Sequence, residues 1–210
     1  MFYVKEIFNS IQGEGFNSGK QAVFVRFTGC NLWNGNIKNK KKAICNFCDT
    51  DFVGTDGVNG GCYNTTQLVN QIISVWENTF SLSEKFVVLT GGEPMLQVNK
   101  NLVQQLKLNG FKVAIETNGT LNIDFHIDWI CVSPKENSLF VLRSGDELKI
   151  VFPQNKLNLN DLKTLNFKFF FLQPMDGLNK QINTWKVINY CSSHKPWFPS
   201  IQLHKTIGIR

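Results

Sequence analysis

The sequence predicts an α/β fold, a partial and open TIM-type barrel of about six parallel strands with fewer helices. Short apolar clusters of strand length alternate along the chain with amphipathic helical stretches and turn signals. Cluster after cluster then ends in polar, glycine-bearing residues. Parallel βα units bring all such strand ends to one side, where barrel enzymes build their sites. The strands number about six or seven, short of the eight that close a barrel, so the expected sheet is open.

The elements follow in order. Ala22 to Phe27 reads as a strand ending at Thr28-Gly29-Cys30. Leu68, Val69, Ile72, Ile73 and Trp76 share one helical face, opened by Thr65 or Thr66 as N-cap. Phe86 to Leu89 is a short buried strand that ends in Thr90-Gly91-Gly92-Glu93-Pro94. The next helix carries Leu102, Val103 and Leu106 and stops at Asn109-Gly110. Val113 to Ile115 is closed by Glu116-Thr117-Asn118-Gly119, and Trp129 to Val132 by Ser133-Pro134-Lys135. Leu148 to Val151 and Lys168 to Leu172 are the next strands, the latter ending at Gln173-Pro174-Met175-Asp176. A helix over Ile182 to Cys191 and a last strand over Ser200 to Leu203 precede His204.

A single domain over residues 1–210 is expected, since 210 residues of 42% hydrophobic content suffice for a full core. No apolar run approaches the ~20 residues that span a bilayer. Lys5 and Glu6 stand where a signal peptide would place its apolar stretch, so the chain reads as cytoplasmic, with no membrane partner. The net charge of +6 and pI near 9.0 raise the question of nucleic acid. The charge is spread over lysines that alternate with asparagines, which argues against such a partner. One dense run, Lys38 to Lys42, lies between two of the cysteines. It reads either as a solvated loop or as a docking point for an acidic partner.

Of six cysteines, Cys62, Cys131 and Cys191 stand alone and read as core or surface thiols. Cys30, Cys45 and Cys48 are grouped, with fourteen residues between the first two and two between the last. A structural zinc site is closed by four ligands, and no histidine stands at ligand spacing here. A 4Fe-4S cluster usually takes four cysteines; with three, one iron keeps an open position for a substrate or cofactor. Zinc and a redox pair remain alternatives on this pattern alone.

Cys30 follows a predicted strand and Thr90-Gly91-Gly92-Glu93-Pro94 follows the next. In this the chain resembles the radical S-adenosylmethionine superfamily, although its first two cysteines are much farther apart than usual. A subgroup of the 7-carboxy-7-deazaguanine synthase family carries the same insertion, and the resemblance to that family spans the chain. It rests on Ser10-Ile11-Gln12-Gly13-Glu14-Gly15, Cys30-Asn31-Leu32-Trp33, Phe47-Cys48-Asp49-Thr50-Asp51-Phe52, Glu116-Thr117-Asn118-Gly119, Ser133-Pro134-Lys135, Gln173-Pro174-Met175-Asp176 and His204-Lys205.

The resemblance implies a lyase converting 6-carboxy-5,6,7,8-tetrahydropterin to 7-carboxy-7-deazaguanine with loss of ammonia, on the route to queuosine and related 7-deazapurines. It implies a 4Fe-4S cluster on Cys30, Cys45 and Cys48, S-adenosylmethionine cleaved to a 5′-deoxyadenosyl radical, Mg²⁺, and a homodimer. An acidic electron donor such as a flavodoxin is the expected partner. Phe47, Cys48, Asp49, Gly92, Glu93, Ser133, Pro134, Lys135, Gln173, Pro174, Met175 and Asp176 would bind S-adenosylmethionine. Ile11, Gln12, Gly13, Glu14, Arg26, Thr90, His204 and Arg210 would bind the pterin.

Chemistry supports several of these roles. Gly91 and Gly92 permit close backbone approach, and Glu93 can receive an ammonium. Glu14 can accept from pterin N–H groups. Arg26, in an apolar strand, needs a carboxylate, either the substrate's or one in the protein. Thr50 matches the Mg²⁺ position, where Asp49 and Asp51 compete; substrate oxygens and water would complete the octahedron. His204 alone reads as core or surface; the resemblance moves it to the pocket.

Overall fold

A computed structural model describes residues 1–79 and 84–209; Arg210 lies outside the described residues. The strands are β1 (Phe2–Ile11), β2 (Gln21–Phe27), β3 (Gly61–Tyr63), β4 (Phe86–Gly91), β5 (Lys112–Thr117), β6 (Trp129–Val132), β7 (Ser144–Phe152), β8 (Asn166–Pro174) and β9 (Trp197–Pro199). They form one sheet in the order β3-β1-β2-β4-β5-β6-β7-β8-β9. From β2 through β4 to β9 every pairing is parallel, giving seven parallel strands where about six were expected. β1 runs antiparallel to both β2 and β3, and the row does not close on itself among the described residues.

β1 was not anticipated. Its register against β2 shifts between Val4 and Glu6, so inward positions change phase and strict apolar alternation breaks. Phe2 and Val4 are buried before the shift and Ile7 after it.

Two cores lie on the helical side of the sheet. Helix α1 (Thr65–Glu77) buries Leu68, Val69, Ile72, Val75 and Trp76, and α2 (Lys100–Leu108) buries Leu102, Val103 and Leu106. Both pack on Val23, Val25, Val87, Leu89, Val113 and Ile115. The N-cap of α1 is Asn64, one residue before the expected threonines; it forms a capping box with Gln67. Gly110, at φ +83°, follows the C-cap of α2 as expected. The second core joins Val132, Leu148, Ile150, Phe170, Leu172 and Trp197 to Val187 of α4 (Lys180–Ser193). The alternate residues Ala22, Phe86, Val88 and Ala114 make a separate cluster with Phe24 and Trp129, so β4 is buried on both faces.

α3 (Leu159–Leu162) is a single turn. The expected last strand over Ser200 to Leu203 is corrected: the strand is Trp197–Pro199, and Leu203–Ile207 is helix α5. Pro199 has no N–H to continue the ladder. After the bond from Ser200 N to the Leu172 carbonyl (2.8 Å), the chain turns across the sheet end, where Leu203 N bonds the Gly13 carbonyl (2.9 Å). The lysine run is a 3-10 turn over Ile37–Lys42, capped by Asn36. Among the described residues, no helix is long and apolar enough to cross a membrane.

Candidate active site

A cavity of about 630 Å³ opens where the parallel strands end. Its wall takes Arg26 from β2, Thr90 and Gly91 from β4, Glu116 and Thr117 from β5, Val151 from β7 and Gln173 from β8, with Ser133 just after β6. Parallel strands all contribute the same end, which gathers motifs distant in sequence around one space.

Cys30, Cys45 and Cys48 line one side of it. The β4 exit is laid directly on the Cys30 loop: Gly92 N bonds the Phe27 carbonyl (3.2 Å) and Glu93 N the Gly29 carbonyl (2.8 Å). A Cβ at Gly91 or Gly92 would collide with the backbone of Phe27 or Gly29, and Gly91 sits at φ +135°. The glycine pair therefore joins two strand exits, beyond the ligand approach expected from sequence.

The three thiols are unequal. Burial pushes Cys30 up. Cys45 donates a hydrogen bond to Cys48, which with burial drives the Cys45 thiol far up. The same bond brings Cys48 down to about 6 against the burial that opposes it. Among the described residues, no three His, Cys, Asp or Glu side chains are arranged to hold a single metal ion. Three thiols on one cavity lining offer thiolate, the usual donor to an iron-sulfur cluster.

The same cavity carries carboxylates. Glu14 accepts from Gln173 Nε2 (3.0 Å), Gln202 Nε2 (2.9 Å) and Lys149 Nζ (2.6 Å). Glu116 accepts from Gln12 Nε2 (3.1 Å), Thr90 Oγ1 (3.3 Å) and the same Lys149 Nζ (3.4 Å). Burial opposes the charge on Glu14, yet Lys149, Gln202 and His204 hold it down at about 2. Burial likewise works against the Lys149 ammonium, and Glu116, Glu14 and Glu147 raise it well above the usual lysine value. Arg26 reaches the cavity while its Nε donates to Glu6 (2.9 Å), so the protein carboxylate considered for it exists. Its other guanidinium nitrogens are the ones left for a ligand.

Most residues expected at the site face this cavity, including Ile11, Gln12, Gly13, Glu14, Phe47, Asp49, Thr50, Ser133, Lys135, Pro174, Asp176 and His204. Four do not. Arg210 is outside the described residues, and Pro134 and Met175 lie off the wall. Glu93 is fully buried behind it, with its carboxylate accepting from Met95 N (2.9 Å), Thr117 Oγ1 (2.8 Å) and Asn118 N (2.7 Å). Burial raises its pKa.

Four acidic side chains are already engaged by lysines. Lys205 of α5 bridges Asp49 and Asp176 (both 2.5 Å), and Lys5 bridges Asp51 (3.1 Å) and Asp56 (2.8 Å). Thr50 lies between, on the cavity wall, its hydroxyl without a protein partner among the described residues. His204 sits against Gly13, where any side chain would strike its ring.

Sequence reasoning missed Lys149, Glu6, Gln202 and the roles of Glu116 and Lys205. Lys149 carried the same signal as Arg26, a cation inside an apolar strand; Gln202 was hidden in the misread last strand.

An open, largely parallel sheet whose first parallel strand leads into a three-thiol loop, with polar strand ends lining the same cavity, defines a radical S-adenosylmethionine enzyme. No protein-family model matches the chain. It is 49% identical to the 7-carboxy-7-deazaguanine synthase of Burkholderia multivorans and 48% identical to that of Caulobacter vibrioides, each alignment covering 99% of both chains. It is 42% identical to the synthase of Nitratidesulfovibrio vulgaris over the same share of both. The crystal structure of QueE from Escherichia coli matches with a TM-score of 0.72 at 25% identity, over 97% of this chain and 94% of that one. The chain belongs to the 7-carboxy-7-deazaguanine synthase family, whose chemistry uses an iron-sulfur cluster and S-adenosylmethionine.

Proposed function

We propose that this enzyme converts 6-carboxy-5,6,7,8-tetrahydropterin to 7-carboxy-7-deazaguanine and ammonia for queuosine-type 7-deazapurine synthesis in the cytoplasm. The observation that carries this is one cavity lined both by three thiols and by the Glu14–Lys149–Glu116 group, in a chain 49% identical over 99% of its length to a named synthase.

Cys30, Cys45 and Cys48 would hold the 4Fe-4S cluster. When bound, the cluster and S-adenosylmethionine supply one-electron chemistry and a hydrogen-abstracting radical. The protein's part is to bind, orient and keep water out. Glu14 and Gln12 face the pterin's N–H edge, and Arg26 takes its carboxylate with the nitrogens not committed to Glu6. Ser133, Lys135, Gln173 and Asp176 line the S-adenosylmethionine side. Glu93 acts from behind the wall: it fixes Thr117 and Asn118, and with them the cavity edge where the cofactor's ammonium would lie. Thr50 is the Mg²⁺ ligand of this reading, since Asp49 and Asp51 are held by lysines. An acidic one-electron carrier delivers electrons, and the enzyme acts as a homodimer.

An anaerobic assay of the iron-loaded enzyme with S-adenosylmethionine, reductant and the carboxytetrahydropterin tests the proposal. Product mass and equimolar ammonia are expected. Cofactor cleavage that leaves the pterin unchanged would overturn the substrate assignment.

A further inference from the structure

Lys149 is only 4% exposed and stands between the fully buried Leu148 and Ile150 of β7. A buried ammonium is stabilising only when it is well paired, and this one is shared between two carboxylates from other strand ends, Glu14 and Glu116. An ionised carboxylate has about four acceptor sites. Each of these two receives three protein donors, which leaves about one free acceptor apiece toward the cavity. Two neighbouring free acceptors match adjacent N–H donors on one ligand edge, as a 2-amino-4-oxopyrimidine presents.

We propose that Lys149 is a specificity-determining positioning residue: by bridging Glu14 and Glu116 it keeps both as pure acceptors, so that the cavity takes a 2-amino pterin edge and rejects a 2-oxo edge. This rests on the pterin-binding reading above. Without Lys149, two buried carboxylates would face each other uncompensated, and one would take up a proton. A protonated carboxyl is a donor as well as an acceptor. It can then satisfy a 2-oxo group, and discrimination collapses. A lysine that merely filled the core would affect stability and leave ligand preference alone.

The test is an anaerobic binding titration of the iron-loaded enzyme with 6-carboxytetrahydropterin and with its 2-oxo counterpart, the corresponding lumazine. Wild type should prefer the pterin by on the order of 10- to 100-fold, the worth of one unmade buried hydrogen bond. Lys149→Met should reduce that preference at least about tenfold, mostly by tighter binding of the lumazine. Lys149→Arg keeps the charge and should keep the preference. If Lys149→Met does not fold, Lys149→Gln keeps a polar donor without the charge, and it should show the same loss. Folded variants with the wild-type preference would overturn the role of Lys149 alone. Wild type that binds neither compound would instead overturn the pterin reading, and this inference with it.

Discussion

Cys48 is the most acidic of the three thiols, its pKa lowered by the hydrogen bond with Cys45, whose own thiol is raised. Metal binding must release the thiol protons. Alanine at Cys30, Cys45 or Cys48 should therefore abolish the broad absorption near 400 nm and all turnover, while Cys62→Ala or Cys191→Ala retains iron. Iron and sulfide analysis decides; loss of the cluster in Cys62→Ala alone would reassign the ligands. Thr50→Ala should leave iron intact and flatten the magnesium dependence of turnover, because its hydroxyl is the uncommitted oxygen between two lysine-held aspartates. An unchanged magnesium titration would move the ligand to Asp49 or Asp51. These residues were legible because a motif or a misplaced charge marks them. Glu6 was not: Lys5 and Glu6 were weighed as evidence against a signal peptide, and only the paired β1–β2 register sets Glu6 beside Arg26.

Elements were legible where the apolar period was unbroken. β6 and α1 lie where expected, whereas β1 was hidden by a bulge and the last strand by a proline that stops the ladder early. Replacing Asn64 with Ala should cost about 1 kcal/mol, as loss of an N-cap does; the chemical-denaturation midpoint reads it, and Thr65→Ala should shift it far less. The 3-10 turn over Ile37–Lys42 buries none of its residues, and Lys40 lies 5.3 Å over the ring of Trp33, just after Cys30. Changing Lys40, Lys41 and Lys42 to Ser should slow turnover driven by an acidic flavodoxin at low salt and spare turnover driven by dithionite. Equal rates with flavodoxin would leave the lysines as a solvated surface.

For the molecule as a whole, acid stability should follow the cavity and not the surface. Glu14 has a folded pKa of about 2 against an ordinary 4.5, so its contribution is full above pH 4.5 and disappears as pH falls toward 2. Glu93 and Glu147 are raised by burial and work in the opposite sense, losing nothing on protonation. Glu14→Gln should therefore flatten the stability–pH curve in that window, as followed by denaturant midpoints at successive pH values; an unaltered slope would place the acid sensitivity elsewhere. The open barrel itself was readable from its repeating strand ends, but the pairing of Glu14 with Lys149 across 135 residues was not, since only closure of the sheet toward a barrel brings β7 beside the end of β1. The excursion between the first two cluster cysteines is a different kind of feature. Its neck is tied where Cys45 N meets the Leu32 carbonyl (3.4 Å), outside the sheet. Beyond such a tie, doubling the loop costs only about 0.6 kcal/mol. The stretch around Lys40 is thus an insertion port: a peptide tag or a fluorescent reporter spliced there would report on the iron site from beside it, without entering the barrel.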